Sequence, residues 1–138
     1  MSDKILIVAS NYYQKVSDNL KIGASNFLKE NKYYFDVIVA PGCFEIPFLI
    51  KKNINNYLGF LALGCIIRGE TYHFQIISNE CARKIMNLSV DFNKPIGFGI
   101  LTCENYDQAI FRSDPLKKNK GKEAAHACIK LLNDQTII

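Results

Sequence analysis

The sequence predicts an α/β fold of three layers, α/β/α, around a four-stranded parallel sheet. Three observations lead there. Four short apolar runs lie along the chain at 4–9, 33–39, 59–67 and 96–102. Between them, apolar residues recur at steps of three or four, the spacing of a helix with one face in a core. The runs are apolar nearly throughout instead of alternating. Such strands are buried on both faces, as in a parallel sheet covered by helices on either side.

Each element can be justified in order. Residues 4–9 (KILIVA), ended by Ser10-Asn11, read as the first strand. A helix is expected at 16–30 through Val16, Leu20, Ala24, Phe27 and Leu28, stopping at Glu30-Asn31. Residues 33–39 (YYFDVIV) form the second strand, Pro41-Gly42 breaks the chain, and a helix is expected from Phe44 to about Asn56. The third strand is 59–67 (GFLALGCII). After the turn Arg68-Gly69-Glu70 a long helix carries Phe74, Ile77, Cys81, Ile85, Leu88 and Phe92, and Asn93-Lys94-Pro95 ends it. The fourth strand is 96–102 (IGFGILT). Helices near 104–112 and 121–133 follow, separated by the polar stretch 113–120, and a tail at 131–138 closes the chain. The order β-α-β-α-β-α-β-α-α, with right-handed crossovers, is that of a flavodoxin-like sandwich. With no linker, repeat or low-complexity segment, residues 1–138 are expected to form a single domain. That length can bury a core without disulfides or metal.

Composition narrows the function. The net charge is +4 and the dense basic run is Lys117, Lys118, Lys120 and Lys122. This reads as a solvated loop entering a helix, or more sharply as a contact for a phosphate-bearing small molecule. Nucleic acid is not an expected partner, since no groove-reading or stacking element accompanies the charge. The five cysteines form no CxxC pair, and their odd number argues against a disulfide framework or a zinc site. They are expected as small buried hydrophobes in a reducing compartment. Without a signal peptide or a long apolar span, the expected location is cytoplasmic, with no membrane partner.

In open α/β sheets ligands bind beyond the carboxyl ends of the strands. Those junctions read Ala9-Ser10-Asn11-Tyr12, Ala40-Pro41-Gly42-Cys43-Phe44-Glu45, Ile67-Arg68-Gly69-Glu70-Thr71-Tyr72-His73 and Thr102-Cys103-Glu104-Asn105. The third is the richest. Gly69 permits a tight turn or a close backbone approach, Thr71 can cap the next helix, and the free N–H groups of that helix start attract an anion. His73 then falls in the first turn, where a group titrating near neutral pH can move protons. The plain alternatives remain open at this point: a surface histidine at 73, a core or staple role for Phe44, a first-turn acid at Glu45, a packing ring at Tyr12. Arg112 reads as a helix-end cation or a phosphate clamp. His126, within AAHACIKLL, reads as structural or interfacial. A flavodoxin-type binding module would want a Ser/Thr/Gly-rich loop after the first strand, and Ser10-Asn11-Tyr12-Tyr13-Gln14 is a poor one. A response regulator would want an acidic cluster there.

Three blocks go further: PGCFEIPF at 41–48, GCIIRGETYHF at 64–74, and IGFGILTCENYDQAIFRSDPLKKNKG at 96–121. In order and spacing they resemble the lumazine synthases, and the likeness covers nearly the whole chain. The resemblance implies condensation of 5-amino-6-ribitylaminouracil with 3,4-dihydroxy-2-butanone 4-phosphate. The products are 6,7-dimethyl-8-ribityllumazine, phosphate and water, in the penultimate step of riboflavin biosynthesis, without metal or organic cofactor. It implies that His73 is the catalytic histidine and that Gly69, Glu70, Thr71 and Arg112 hold the phosphate. Tyr12 would stack on the aminouracil ring, Cys43, Phe44 and Glu45 would grip the uracil and ribityl side, and Cys65, Ile66 and Ile67 would floor the pocket. Phe98 would come from a neighbouring subunit, with Lys120 a cation near the same interface. A homopentamer is implied, packed in some members into a 60-subunit icosahedral shell, with riboflavin synthase as a partner. The sequence departs from the pattern in places. Ser10-Asn11-Tyr12-Tyr13 replaces an Arg-Phe-Asn stretch, and Cys43 stands where Ala is common. The short lead into the first strand makes the N-terminal arm contact of relatives unexpected here. An inactive shell is the remaining rival, and the intact His73, Arg112 and Glu45 argue against it.

Overall fold

A strand whose side chains are buried at every position must be covered on both faces, because successive side chains point to opposite sides. Strand β1 (Ile5–Ser10) is buried throughout, and β3 (Gly59–Ile67) everywhere but at half-buried Ile67. The computed structural model, which describes residues 3–133 and 137, accounts for this. β1 lies between β2 (Phe35–Ala40) and β3, and β3 pairs beyond it with β4 (Ile96–Cys103). The order is β2-β1-β3-β4, every neighbouring pair is parallel, and Ile7 faces Val37 on one side and Leu61 on the other. This is the flavodoxin-like sheet expected from the sequence.

Two helical layers cover the sheet. Helices α1 (Gln14–Glu30), α4 (Tyr106–Ser113) and α5 (Lys120–Asn133) pack on the face that presents Ile5, Ile7, Leu61, Leu63 and Leu101. Helices α2 (Ile46–Lys52) and α3 (His73–Phe92) cover Leu6, Val8, Phe60, Ala62 and Ile100 on the other. Cover is incomplete at the two outer strands. Val37 and Val39 of β2 stay exposed on the α1 face, and Phe98 and Thr102 of β4 on the α3 face. All five cysteines are buried and free, as expected. Among the described residues no helix is long and apolar enough to cross a membrane.

The second helix is shorter than expected. Residues Cys43–Glu45 form a 3-10 turn and α2 begins at Ile46, putting Pro47, which has no N–H to give, in the first turn where none is needed. The Asn53 amide donates to the Leu49 carbonyl at 2.8 Å and closes the helix at Lys52, short of Asn56. Helix α4 begins at Tyr106, not 104, because Asn105 Oδ1 accepts the Gln108 N–H at 2.9 Å and acts as its N-cap. The remaining boundaries agree with expectation to within about two residues, the usual uncertainty of a fraying end. Residues 134–136 and 138 of the expected tail lie outside the described residues.

Helices α1 and α5 touch backbone to backbone at Gly121. A Cβ there would stand 2.1 Å from the Leu20 carbonyl oxygen, so only glycine allows the approach. We expect Gly121→Ala to cost about 1–3 kcal/mol through overpacking, seen as a lower urea midpoint. An unchanged midpoint would mean that the helices part without penalty.

Candidate active site

The carboxyl ends of the strands enclose an open cleft of about 550 Å³. It lies where the sheet order reverses around β1 and β3, the topological switch point at which open α/β sheets hold ligands. Four segments build it. Tyr12 and Tyr13 follow β1, Gly42, Cys43, Phe44 and Glu45 follow β2, Cys65, Ile66 and Ile67 end β3, and His73, Ile76 and Ile77 open α3.

The floor is held by weak thiol hydrogen bonds. Cys43 Sγ donates to the Cys65 carbonyl at 3.8 Å, and Cys81 Sγ donates to the Cys43 carbonyl at 3.3 Å, tying the turn after β2 to both β3 and α3. Burial pushes the Cys43 thiol up to about 11 and that of Cys81 up to about 12. Burial also raises Cys65, with neighbouring Cys103 adding to the effect. A buried thiolate lacks solvation, so the floor is uncharged at neutral pH and behaves as small apolar surface.

One wall is aromatic. Tyr12 and Tyr13 meet edge to face with centroids 5.0 Å apart, and Tyr13 lies 6.3 Å from Tyr106. Edge-to-face packing aligns the positive rim of one ring with the negative face of the other. Tyr12 is 72% exposed, which leaves its ring free for another partner. Burial, with Tyr12 adding, raises the Tyr13 phenol, which therefore stays a neutral donor.

His73 is the first residue of α3 and is exposed. The expected Thr71 contact forms, though not from the N-cap position. Tyr72 stands there, already in helical geometry, and its own side chain makes no cap bond. Thr71 Oγ1 accepts the N–H of His73, the first residue of the helix, at a long 3.4 Å. Gly69 also differs from the tight-turn reading. Among the described residues no glycine has a positive φ, and a Cβ at Gly69 would meet nothing within 4 Å. The chain itself has no need of glycine there, and the space beside it is open.

The cleft thus gathers Tyr12, Cys43, Phe44, Glu45, Cys65, Ile66, Ile67 and His73. Six expected residues do not line it. Gly69, Glu70 and Thr71 belong to the exposed turn before His73. Phe98 is 45% exposed on edge strand β4. Arg112 lies in the last turn of α4, where its charge partly offsets the burial that raises the Cys103 thiol at the end of β4. Lys120 opens α5 and pairs with Glu123 at 3.1 Å. The sequence reading missed Tyr13, Gly42, Ile76 and Ile77 as lining residues. Ile76 and Ile77 were within reach, standing three and four residues beyond His73 on the same helix face.

An open parallel sheet with a largely apolar cleft at its switch point, a histidine at one rim and an exposed aromatic ring at another, defines an α/β enzyme that acts on small molecules. Comparison narrows the class. The family model described as 6,7-dimethyl-8-ribityllumazine synthase matches residues 2–136, and the chain belongs to that family. It is similar to the 6,7-dimethyl-8-ribityllumazine synthase of Novosphingobium aromaticivorans, with 47% identity over 94% of each chain. The enzyme of the same name from Zymomonas mobilis is 46% identical over 94% of each, and that from Bartonella tribocorum 44% over 93% of this chain and 87% of its own.

The raised thiols give a direct test. Cys43 alkylation by iodoacetamide, followed by mass spectrometry, should accelerate about tenfold per pH unit up to pH ~10, because only the thiolate reacts. A plateau near pH ~8.5, the range of an ordinary thiol, would mean that burial does not control this group.

Proposed function

We propose that the chain condenses 5-amino-6-ribitylaminouracil with 3,4-dihydroxy-2-butanone 4-phosphate in this cleft, working as one domain over 1–138, with His73 as the proton carrier. The observation that supports this reading is convergence. Segments far apart in the sequence, at 12, 43–45, 65–67 and 73, meet around a single space at the carboxyl end of the sheet. They are the segments to which the family resemblance assigns the substrates.

The chemistry suits the surroundings. Attack of the aminouracil amine on the ketone gives an imine and water, elimination expels phosphate, and the ribityl-bearing amine closes the ring on the remaining carbonyl with loss of a second water. Each step relocates a proton, and an exposed imidazole at the rim can serve several of them. Tyr12 offers a free ring face to the flat pyrimidine, and Glu45 a carboxylate to hydroxyl groups. Phe44 is exposed beside them. The neutral floor of Cys43, Cys65, Ile66 and Ile67 supplies apolar contact, while Gly69, Glu70 and Thr71, with the start of α3, receive the phosphate. Much of the acceleration comes from holding two reactants in register.

Phe98, Arg112 and Lys120 stand outside their own chain's cleft, and we assign them to the site of a neighbouring copy. Exposed apolar side chains at the two ends of α3 support self-association, Tyr72 and Ile76 at its start and Met86 and Val90 towards its close. The proposed assembly is a homopentamer of the 15.7 kDa chain, in the cytoplasm, with its product passing to riboflavin synthase. Sedimentation separates that pentamer from a 60-subunit shell, and a monomer would sink the shared-site assignment.

Purified protein mixed with the two substrates should produce lumazine fluorescence above the spontaneous reaction, and no excess product would end the enzyme reading. His73→Ala should lower kcat roughly 100-fold with little change in either KM. A full rate would remove His73 from proton transfer. Arg112→Ala should raise KM for the butanone phosphate more than for the aminouracil, and equal effects would count against a phosphate role. Co-assembled His73→Ala and Arg112→Ala chains should regain about a quarter of wild-type sites if each site draws on two copies. No recovery would place both residues in one chain's site.

A further inference from the structure

The turn 68–72 that delivers His73 is exposed at every residue, and the space beside its glycine is empty. A segment with so few packing contacts keeps its place only if something outside it holds it. One side chain makes several such contacts. Arg68 Nε donates to the Glu104 carboxylate at 2.8 Å, which joins this turn to the turn after β4. The guanidinium carbon lies 4.5 Å from the centre of the Phe74 ring in the first turn of α3. With the Gln75 amide in the orientation that satisfies both its partners, its oxygen accepts from Arg68 Nη1 at 2.9 Å. Its nitrogen then donates to the Tyr72 carbonyl at 3.2 Å. The Tyr72 carbonyl belongs to the peptide bond that leads into His73.

Both ends of this bridge are anchored. The Arg68 backbone N–H donates to the Cys103 carbonyl at 2.9 Å, one residue before Glu104. The Glu104 N–H donates to Gln108 Oε1 at 2.8 Å, which fixes the acceptor side on α4. We propose that Arg68 is a positioning residue, holding the Gly69–His73 turn at the height set by the turn after β4 through Glu104, Phe74 and Gln75. The proposal rests on the roles given above to that turn and to His73. Neither Arg68, Glu104 nor Gln75 lines the cleft, so their influence would pass through the turn. As an isolated exposed ion pair Arg68–Glu104 would stabilise the fold little. Its value is geometric. A planar guanidinium can pair with a carboxylate, stack on a ring and donate to an amide at once, which a lysine ammonium cannot. Displacing reacting groups by ~1 Å costs on the order of 100-fold in rate, so a modest slackening of the turn would register in turnover.

The test is steady-state kinetics on the assembled protein with Arg68→Lys, Glu104→Ala, Glu104→Gln and Gln75→Leu. Arg68→Lys retains the charge but loses the planar fork, and should lower kcat about tenfold. It should also raise KM for the butanone phosphate and the inhibition constant of inorganic phosphate, with the aminouracil KM held within about twofold. Glu104→Ala and Gln75→Leu should move the same parameters in the same direction. Glu104→Gln, which keeps an acceptor for Arg68, should recover most of the rate. The Arg68→Lys/Glu104→Ala double variant should be no worse than the worse single, since both break one unit. Melting temperatures within about 3 °C of wild type would separate this from general destabilisation. Wild-type kinetics in Arg68→Lys and Glu104→Ala, or additive losses, or equal changes in both KM values, would overturn the proposal. Should His73→Ala keep its full rate, the proton-carrier reading falls, while inorganic phosphate inhibition still tests whether Arg68 holds the turn.

Discussion

Strands β1 and β3 have helices on both faces and a strand on each flank, and the rest of the molecule follows from that confinement. No ionisable side chain but the thiol of Cys65 lies along either of them. An unpaired charge there would meet hydrocarbon on every side, at a cost that burial of the neighbours could not offset. Polar chemistry is therefore confined to strand ends. It begins at Ser10, still buried, whose Oγ accepts the Tyr12 N–H at 3.4 Å as the chain leaves the sheet. The same confinement decides the helices. The layers must sit close to exclude water, and at Gly121 the contact between α1 and α5 is backbone on backbone.

The cleft inherits its character from this core. Its floor is the last turn of hydrocarbon and thiol before solvent, and burial keeps those thiols protonated. Its carboxylate and its imidazole, Glu45 and His73, stand at exposed rim positions on separate elements. In the proposed reaction, an imidazole at the rim over a neutral floor would let a flat molecule lose water beneath while its proton-bearing atoms stay within reach of His73. Tyr13 joins the two zones, packed against Tyr12 outside and Tyr106 behind.

Much of this could be read from the sequence, for physical reasons that differ by residue. The strands were legible because burial on two faces leaves unbroken apolar runs such as GFLALGCII. His73 was legible because a turn and a helical stripe bracket it. The end of α2 was not, since it depends on the Asn53 amide reaching back to Leu49, a choice local spacing does not encode. Nor was the Arg68–Glu104 contact, whose partners lie 36 residues apart on different junctions. Phe98 came into view through family resemblance alone, whereas Arg112 already read as a helix-end cation or a phosphate clamp and Lys120 as part of the basic run. They lie on surfaces that one chain does not bring to its own cleft.

The two uncovered margins of the sheet carry a last implication. Val37 and Val39 lie bare at one edge on the α1 side, and Phe98 at the opposite edge on the α3 side. These patches are not copies of each other, so a contact that joins one to the other is head to tail. In the proposed assembly the contact is of that kind, and an open chain of copies leaves a bare margin at each end. A head-to-tail series ends only by meeting its own beginning, so the angle between the margins, fixed by the twist of four strands, sets how many copies make a closed ring.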